Sequence, residues 1–217
     1  MATWQGTQTL ILSGAPETDV SYVRTLLCAH PGMKIVCADA GVQQLDRLRL
    51  SPDLIVGDFD SSTRPDLQCE CIQLIPEKDD TDTMHALQVI IDRGCTEVWI
   101  ACATGGRLDH LLSNLSLCEY AHTRGCRCTI VDAQNELTFL APGKTVLEPD
   151  TRYRYFSLIP LDFTLNHLTI TGAKYSISDA SVERTQIYTV SNEIAGSCAR
   201  IELGQGRAFL IRSADRH

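Results

Sequence analysis

No run of apolar residues in this chain approaches the roughly 20 needed to cross a bilayer, which excludes a helical membrane span. Positive charge is in the minority. The 19 Lys and Arg are outnumbered by 27 Asp and Glu, a formal net charge of -8, and this argues against a nucleic-acid backbone as the main partner. A Walker A loop is absent. Gly143-Lys144-Thr145 resembles its end, but Thr138 stands where the first glycine is required, and no helix is expected to follow. No G-x-G-x-x-G follows the first expected strand, so classical NAD binding is excluded. There is no C-x₂-C or H-x-x-x-H spacing either, so the ten cysteines are read as packing thiols of a reducing compartment, not zinc ligands. The first six residues lack the basic-then-apolar layout of a secretory signal, and a cytoplasmic protein is expected.

What is present is acid placed after strands. Four stretches carry it: Ala38-Asp39-Ala40-Gly41, Gly57-Asp58-Phe59-Asp60-Ser61, Lys78-Asp79-Asp80-Thr81-Asp82 and Gly105-Gly106-Arg107-Leu108-Asp109-His110. Each follows, directly or shortly, an apolar run that reads as a buried strand. One or two such acids would be explained as helix caps or partners of the helix dipole. Four strand ends with an acid at each would not, because crowded carboxylates repel unless a cation sits among them.

Strand-like runs at 8–12, 34–38, 53–57, 71–75, 97–102 and 128–132 alternate with helices expected from Asp19, around 41–49, 80–93 and 108–123. The strands are continuously apolar, which indicates a mostly parallel sheet with helices on both faces. Met84, Leu87, Ile90 and Ile91 are expected to form one apolar helix face, and Leu108, Leu111, Leu112, Leu115 and Cys118 another. From about residue 135 the texture changes to short strands at 137–140, 154–159, 167–171, 199–203 and 207–211, separated by turn residues. Residues 1–134 are therefore read as an α/β domain and 135–217 as a smaller all-β, sandwich-like domain. Ligands of open parallel sheets bind outside the carboxyl ends of the strands, where these acids fall.

The chemistry follows from residue type. Asp58, Asp60 and Asp82 can offer hard oxygen ligands to Mg²⁺, which takes one or two carboxylates plus phosphate oxygens and water. Gly105 and Gly106 form a turn whose N–H groups can meet a phosphate. Lys78 and Arg107 are the cations placed to neutralise a transferring phosphoryl group, and Asp82 or Asp109 can help deprotonate an alcohol.

In this order the motifs Ala-Asp-x-Gly, Gly-Asp-x-Asp-Ser, Lys-Asp-x-Thr-Asp and Gly-Gly-Arg-x-Asp-His, with the later Ser191-Asn192-Glu193, resemble those of the thiamine pyrophosphokinase (thiamine diphosphokinase) family. The resemblance runs from about residue 10 to the C-terminus. It implies an α/β catalytic domain, a C-terminal β-sandwich, a homodimer with sites at its interface, and the reaction ATP + thiamine → AMP + thiamine diphosphate with Mg²⁺. Carried over by motif, Asp39, Gly41, Lys78, Thr104, Gly105 and Arg107 would meet ATP, and Asp58, Asp60 and Asp82 the metal. Asp82, Asp109, Ser191 and Asn192 would meet thiamine, the last two from the partner subunit. Trp4 and Trp99 both lie in the first half, so the residue that stacks on the thiamine ring stays open. Two other classes compete. Val56-Gly57-Asp58-Phe59-Asp60-Ser61-Ser62-Thr63 loosely resembles a haloacid-dehalogenase nucleophile loop, but two strand–helix units precede it. An acidic module that senses a cationic metabolite without turnover is the non-enzymatic reading.

Overall fold

The structure is a computed structural model and describes residues 4–17, 19–58, 68–75 and 80–215. It divides into two compact units, Met1–Ala133 and Gln134–His217.

The first unit runs β1 (Gln8–Leu12), α1 (Ser21–Ala29), β2 (Lys34–Ala38), a 3-10 turn (Asp39–Gln43), α2 (Gln44–Leu48), β3 (Leu54–Gly57), β4 (Glu70–Gln73), α3 (Asp82–Asp92), β5 (Glu97–Ala101), α4 (Leu108–Thr123) and β6 (Arg127–Val131). Its strands lie side by side as β4-β3-β2-β1-β5-β6. Each neighbouring pair is parallel, for example Leu10 opposite both Ile35 and Trp99. Continuous apolar strands suit this position, because both faces are covered. On one face α1 and α2 pack Val23, Leu26, Leu45 and Leu48 onto Leu10, Leu12, Ile35 and Ile55. The alternate side chains, such as Ile11 and Val36, are fully buried as well, on the face that α3 covers. Each such Leu or Ile contributes roughly 1.5–3 kcal/mol by leaving water.

The two expected helix faces hold in part: Leu87 and Ile90 of α3 and Cys118 of α4 are buried. The inner face of α3 is Thr83, Ala86, Leu87 and Ile90, with Met84 and Ile91 only half-buried. The inner face of α4 is Asn114, Leu117, Cys118 and Ala121, while Leu108 and Leu112 are 68% and 55% exposed. Helix α4 carries two apolar stripes, and the sheet takes the second. The helix expected over 41–49 is also divided. A 3-10 turn begins at Asp39, and the short α2 stops at Arg49 in the left-handed region (φ 57°). Helix α3 begins where Thr81 accepts a hydrogen bond from the Met84 N–H at 3.2 Å, a cap that contributes about 1 kcal/mol.

The second unit contains β7 (Asn135–Leu140), β8 (Gly143–Leu147), β9 (Tyr155–Pro160), β10 (Thr164–Thr171), β11 (Ile177–Glu183), β12 (Asn192–Glu193), β13 (Ala199–Gln205) and β14 (Ala208–Ser213). Strands β12-β9-β14-β7 and β11-β10-β13-β8 form two antiparallel layers. Phe156, Leu158, Leu168, Ile170, Ile201 and Leu210 fill the space between them. Strands β8, β11 and β12 were not expected. Pro142-Gly143 reads as a turn in sequence, and β11 has only Ile177, Ala180 and Val182 to mark it.

Candidate active site

The sequence direction of the sheet reverses at β1. After β1 the chain moves outward through β2 and β3, then returns to place β5 on the other side, so the loops after β1 and β5 part and leave a crevice. A cavity of about 590 Å³ opens there, walled by Ser13–Pro16 after β1, Asp39 after β2, Gly105–Arg107 after β5, and the first turns of α3 and α4.

The backbone around this cavity is held in unusual geometry. Asp39 and Cys102, each one residue past its strand, have φ of 41° and 56°. Left-handed backbone costs a side-chain-bearing residue roughly 1–2 kcal/mol, so surrounding contacts must enforce it. Two glycines allow the loops to close. A Cβ on Gly41 would sit 2.0 Å from the Leu12 carbonyl oxygen, so the turn after β2 lies against the end of β1. Gly106, at φ 80°, leaves room for the Pro16 ring, which a Cβ would approach to 2.9 Å.

Polar side chains then line the crevice. The Ser13 and Thr83 hydroxyls meet at 2.7 Å, both buried, joining β1 to α3. The Asn114 amide donates to the Ala103 carbonyl at 2.9 Å, joining α4 to the turn after β5. Arg107 donates to both oxygens of Asp109, at 3.1 and 2.5 Å, on an exposed rim. That guanidinium holds the Asp109 carboxyl down at about 2, and the pairing raises Arg107 in turn.

The expected site residues fall into groups. Asp39, Asp82, Gly105 and Arg107 line the cavity together. Gly41 is buried behind it, Thr104 turns its hydroxyl toward Glu17 and Asp132, and Asp109 caps Arg107 at the rim. Asp58 follows β3, is half-buried and does not line the cavity. Asp60 and Lys78 lie outside the described residues. In the second unit, exposed Ser191 (φ 57°) donates its N–H to the Ser157 hydroxyl at 3.0 Å. Asn192 is buried, with its amide bonded to both the N–H and the C=O of Tyr175 at 2.9 and 2.8 Å. Sequence reasoning missed Ser13, Thr83 and Asn114. A polar residue inside an apolar helix stripe was the available signal for the last two.

Three carboxylates line the cavity, those of Asp39, Asp80 and Asp82, and the Oδ1 of Asp39 is shut off from solvent. Among the described residues no three Asp, Glu, His or Cys side chains gather closely enough to hold an ion by themselves. Hard carboxylates in small number fit Mg²⁺, which completes its shell with phosphate oxygens and water.

Comparison with known proteins gives a consistent result. The family model described as thiamin pyrophosphokinase, catalytic domain, matches residues 31–130, and that described as thiamin pyrophosphokinase, vitamin B1 binding domain, matches residues 144–207. Thiamine pyrophosphokinase of Bacillus subtilis is 30% identical over 183 residues, which cover 82% of this chain and 86% of the relative. The crystal structure of thiamine pyrophosphokinase from Bacillus subtilis superposes with a TM-score of 0.88 at 26% identity, covering 97% of this chain and 100% of that one. That of thiamin pyrophosphokinase from Geobacillus thermodenitrificans gives 0.85 at 30% identity, covering 96% and 98%. With a crevice at the sheet's switch point and both family domains matched in order, the chain belongs to the thiamine pyrophosphokinase family.

Proposed function

We propose that the crevice binds ATP and that the chain is a thiamine diphosphokinase, moving the terminal diphosphate of ATP onto the hydroxyl of thiamine to give thiamine diphosphate and AMP. One observation carries the placement: the acids Asp39 and Asp82, the Gly105-Gly106 turn and Arg107 all face one cavity at the carboxyl edge of the sheet. The alcohol attacks the β-phosphorus, and negative charge builds on the phosphate oxygens. Arg107 offsets that charge, aided by N–H groups of the turn and by Lys78. A proton leaves the alcohol to Asp82 or Asp109, the acids in the first turns of α3 and α4. Asp82 and Asp39, which line the cavity, would hold Mg²⁺, with Asp58 and Asp60 expected at the same ion from the segment after β3; when bound it would neutralise charge on the transferring diphosphate. The permanent positive charge of thiamine suits an acidic crevice. Ser191 and Asn192 contribute to the thiamine site from the partner subunit of a homodimer. Ten unbridged thiols suit a cytoplasmic protein.

The direct test is incubation of the pure protein with ATP, Mg²⁺ and thiamine, followed by product identification. AMP with thiamine diphosphate supports the proposal. ADP with thiamine monophosphate would make the protein a different kinase.

A further inference from the structure

Behind the turn that carries Gly105 and Arg107 lies a polar cluster outside the cavity wall. Its centre is the half-buried Glu17, on the loop after β1. From α1, the Tyr22 hydroxyl donates to one Glu17 oxygen at 2.5 Å and itself accepts from the Cys102 N–H at 3.2 Å. From the loop after β5, the Thr104 hydroxyl lies 3.3 Å from the other Glu17 oxygen and 2.9 Å from Asp132, just past β6. From α2, Arg47 donates to the Glu17 carbonyl at 2.9 Å. Groups from four elements therefore converge on one short loop, and two of them, Cys102 and Thr104, begin the turn that reaches the cavity. Cys102 is also the residue forced into left-handed backbone.

We infer that Glu17 is a positioning residue for diphosphate transfer: with Tyr22, Thr104 and Asp132 it anchors the Cys102–Arg107 turn against the loop after β1 without touching substrate. The inference rests on the proposed function for its kinetic consequence, but the anchoring itself does not. The hydroxyl of Thr104 has a single hydrogen and two carboxylates within reach. When that hydrogen goes to the nearer Asp132, the Thr104 oxygen faces Glu17 as an acceptor, so a protonated Glu17 completes the chain. Burial pushes the Glu17 carboxyl up and the charge of Asp132 adds to this, both favouring the proton. The charged and titratable groups around it are Tyr22, Arg47, Cys102 and Asp132. Because the Glu17 value is raised in the folded protein, the anchoring is strongest at low pH and weakens as pH rises through the raised value.

The experiment compares wild type, Glu17→Ala and Glu17→Gln. Glutamine keeps an acceptor for Tyr22 and supplies a permanent N–H for Thr104. With ATP, Mg²⁺ and thiamine, E17A is expected to lower kcat by about tenfold, since small misplacements of charge-stabilising groups cost that much or more. E17Q is expected to recover turnover to within about twofold. Amide hydrogen exchange at Gly105–Arg107 reads the anchoring without turnover: faster in E17A, as wild type in E17Q. Unchanged exchange in E17A overturns the assignment, as does an E17Q defect equal to that of E17A. If wild type makes no thiamine diphosphate, the proposed function fails, and the exchange result still decides the role of Glu17.

Discussion

The two ends of the parallel sheet are built from the same strands and behave differently. At the amino end, the turns leading into β1, β2, β5 and β6 place Gly6, Gly32, Gly94 and Gly125 at φ between 71° and 93°, where glycine carries little penalty. The surroundings there are packing and polar pairs remote from the crevice, such as Lys34 with Asp53 at 2.6 Å and Gln8 with Glu97 at 2.7 Å. Cys118 and Cys128 approach to 3.6 Å, Cys95 tucks against Thr9, and the His30 ring lies 4.5 Å from that of Trp99. At the carboxyl end the left-handed positions fall to Asp39 and Cys102, which carry side chains, and the surroundings are hydroxyls, amides and acids. The amino end carries such a position too, Arg49 on the turn into β3 (φ 57°), but at the crevice edge the left-handed Asp39 itself lines the cavity.

That contrast can be broken by experiment. The largest effect should come from Arg107→Ala, with kcat for thiamine diphosphate formation falling about 10²–10³-fold, as for loss of one charge-stabilising donor. A loss below tenfold would remove Arg107 from contact with the reacting phosphates. Next come two glycines, one from each end of the sheet. Gly41→Ala drives a methyl into the Leu12 carbonyl and should cost about 3 kcal/mol in urea unfolding. Gly125→Ala meets open space and carries only its φ penalty, about 1 kcal/mol. Equal costs would show that the close approach at the carboxyl end is not rigid. Thr81→Ala, which removes the cap of α3, should lower stability by about 1 kcal/mol by the same measurement. The smallest effect is electrostatic. The Asp109 carboxyl sits below its unfolded value, so its pairing with Arg107 is complete above the ordinary carboxylate range and is lost as pH falls toward about 2. Carboxyl-carbon NMR should find that low midpoint in wild type and a return to the ordinary range in R107A.

Much of the first unit was legible because its strands are simple. Lys34–Ala38 and Leu108–Thr123 occupy the ranges expected from apolar runs and period. Which stripe of α4 faces inward was not legible, since Leu108/Leu112 and Leu117/Ala121 both recur at helical spacing and only the sheet selects between them. The acids after strands pointed to the carboxyl edge of the sheet, and Asp39, Asp82 and Arg107 line a cavity there. Ser13, Thr83 and Asn114 were hidden because each matters through a partner distant in sequence, such as Ala103 for Asn114. The left-handed Asp39 was hidden for a related reason. Its conformation follows from how β2, the turn after it and β1 close together, and no local signal encodes that. In the second unit, β11 pairs with β10 through shifted registers, which erases the strict alternation by which a half-buried strand is recognised.

The central place of β1 has a consequence for the nascent chain. As residues leave the ribosome, β1 meets β2 early, because they are neighbours in both space and sequence. Its other flank waits through β3, β4 and α3 until β5 arrives. During that interval one edge of β1 keeps its backbone N–H and C=O groups unpaired between apolar faces, the kind of surface on which partly made proteins aggregate. Whatever shelters that edge during synthesis, chaperone or transient self-contact, governs how much of the newly made enzyme reaches its working form.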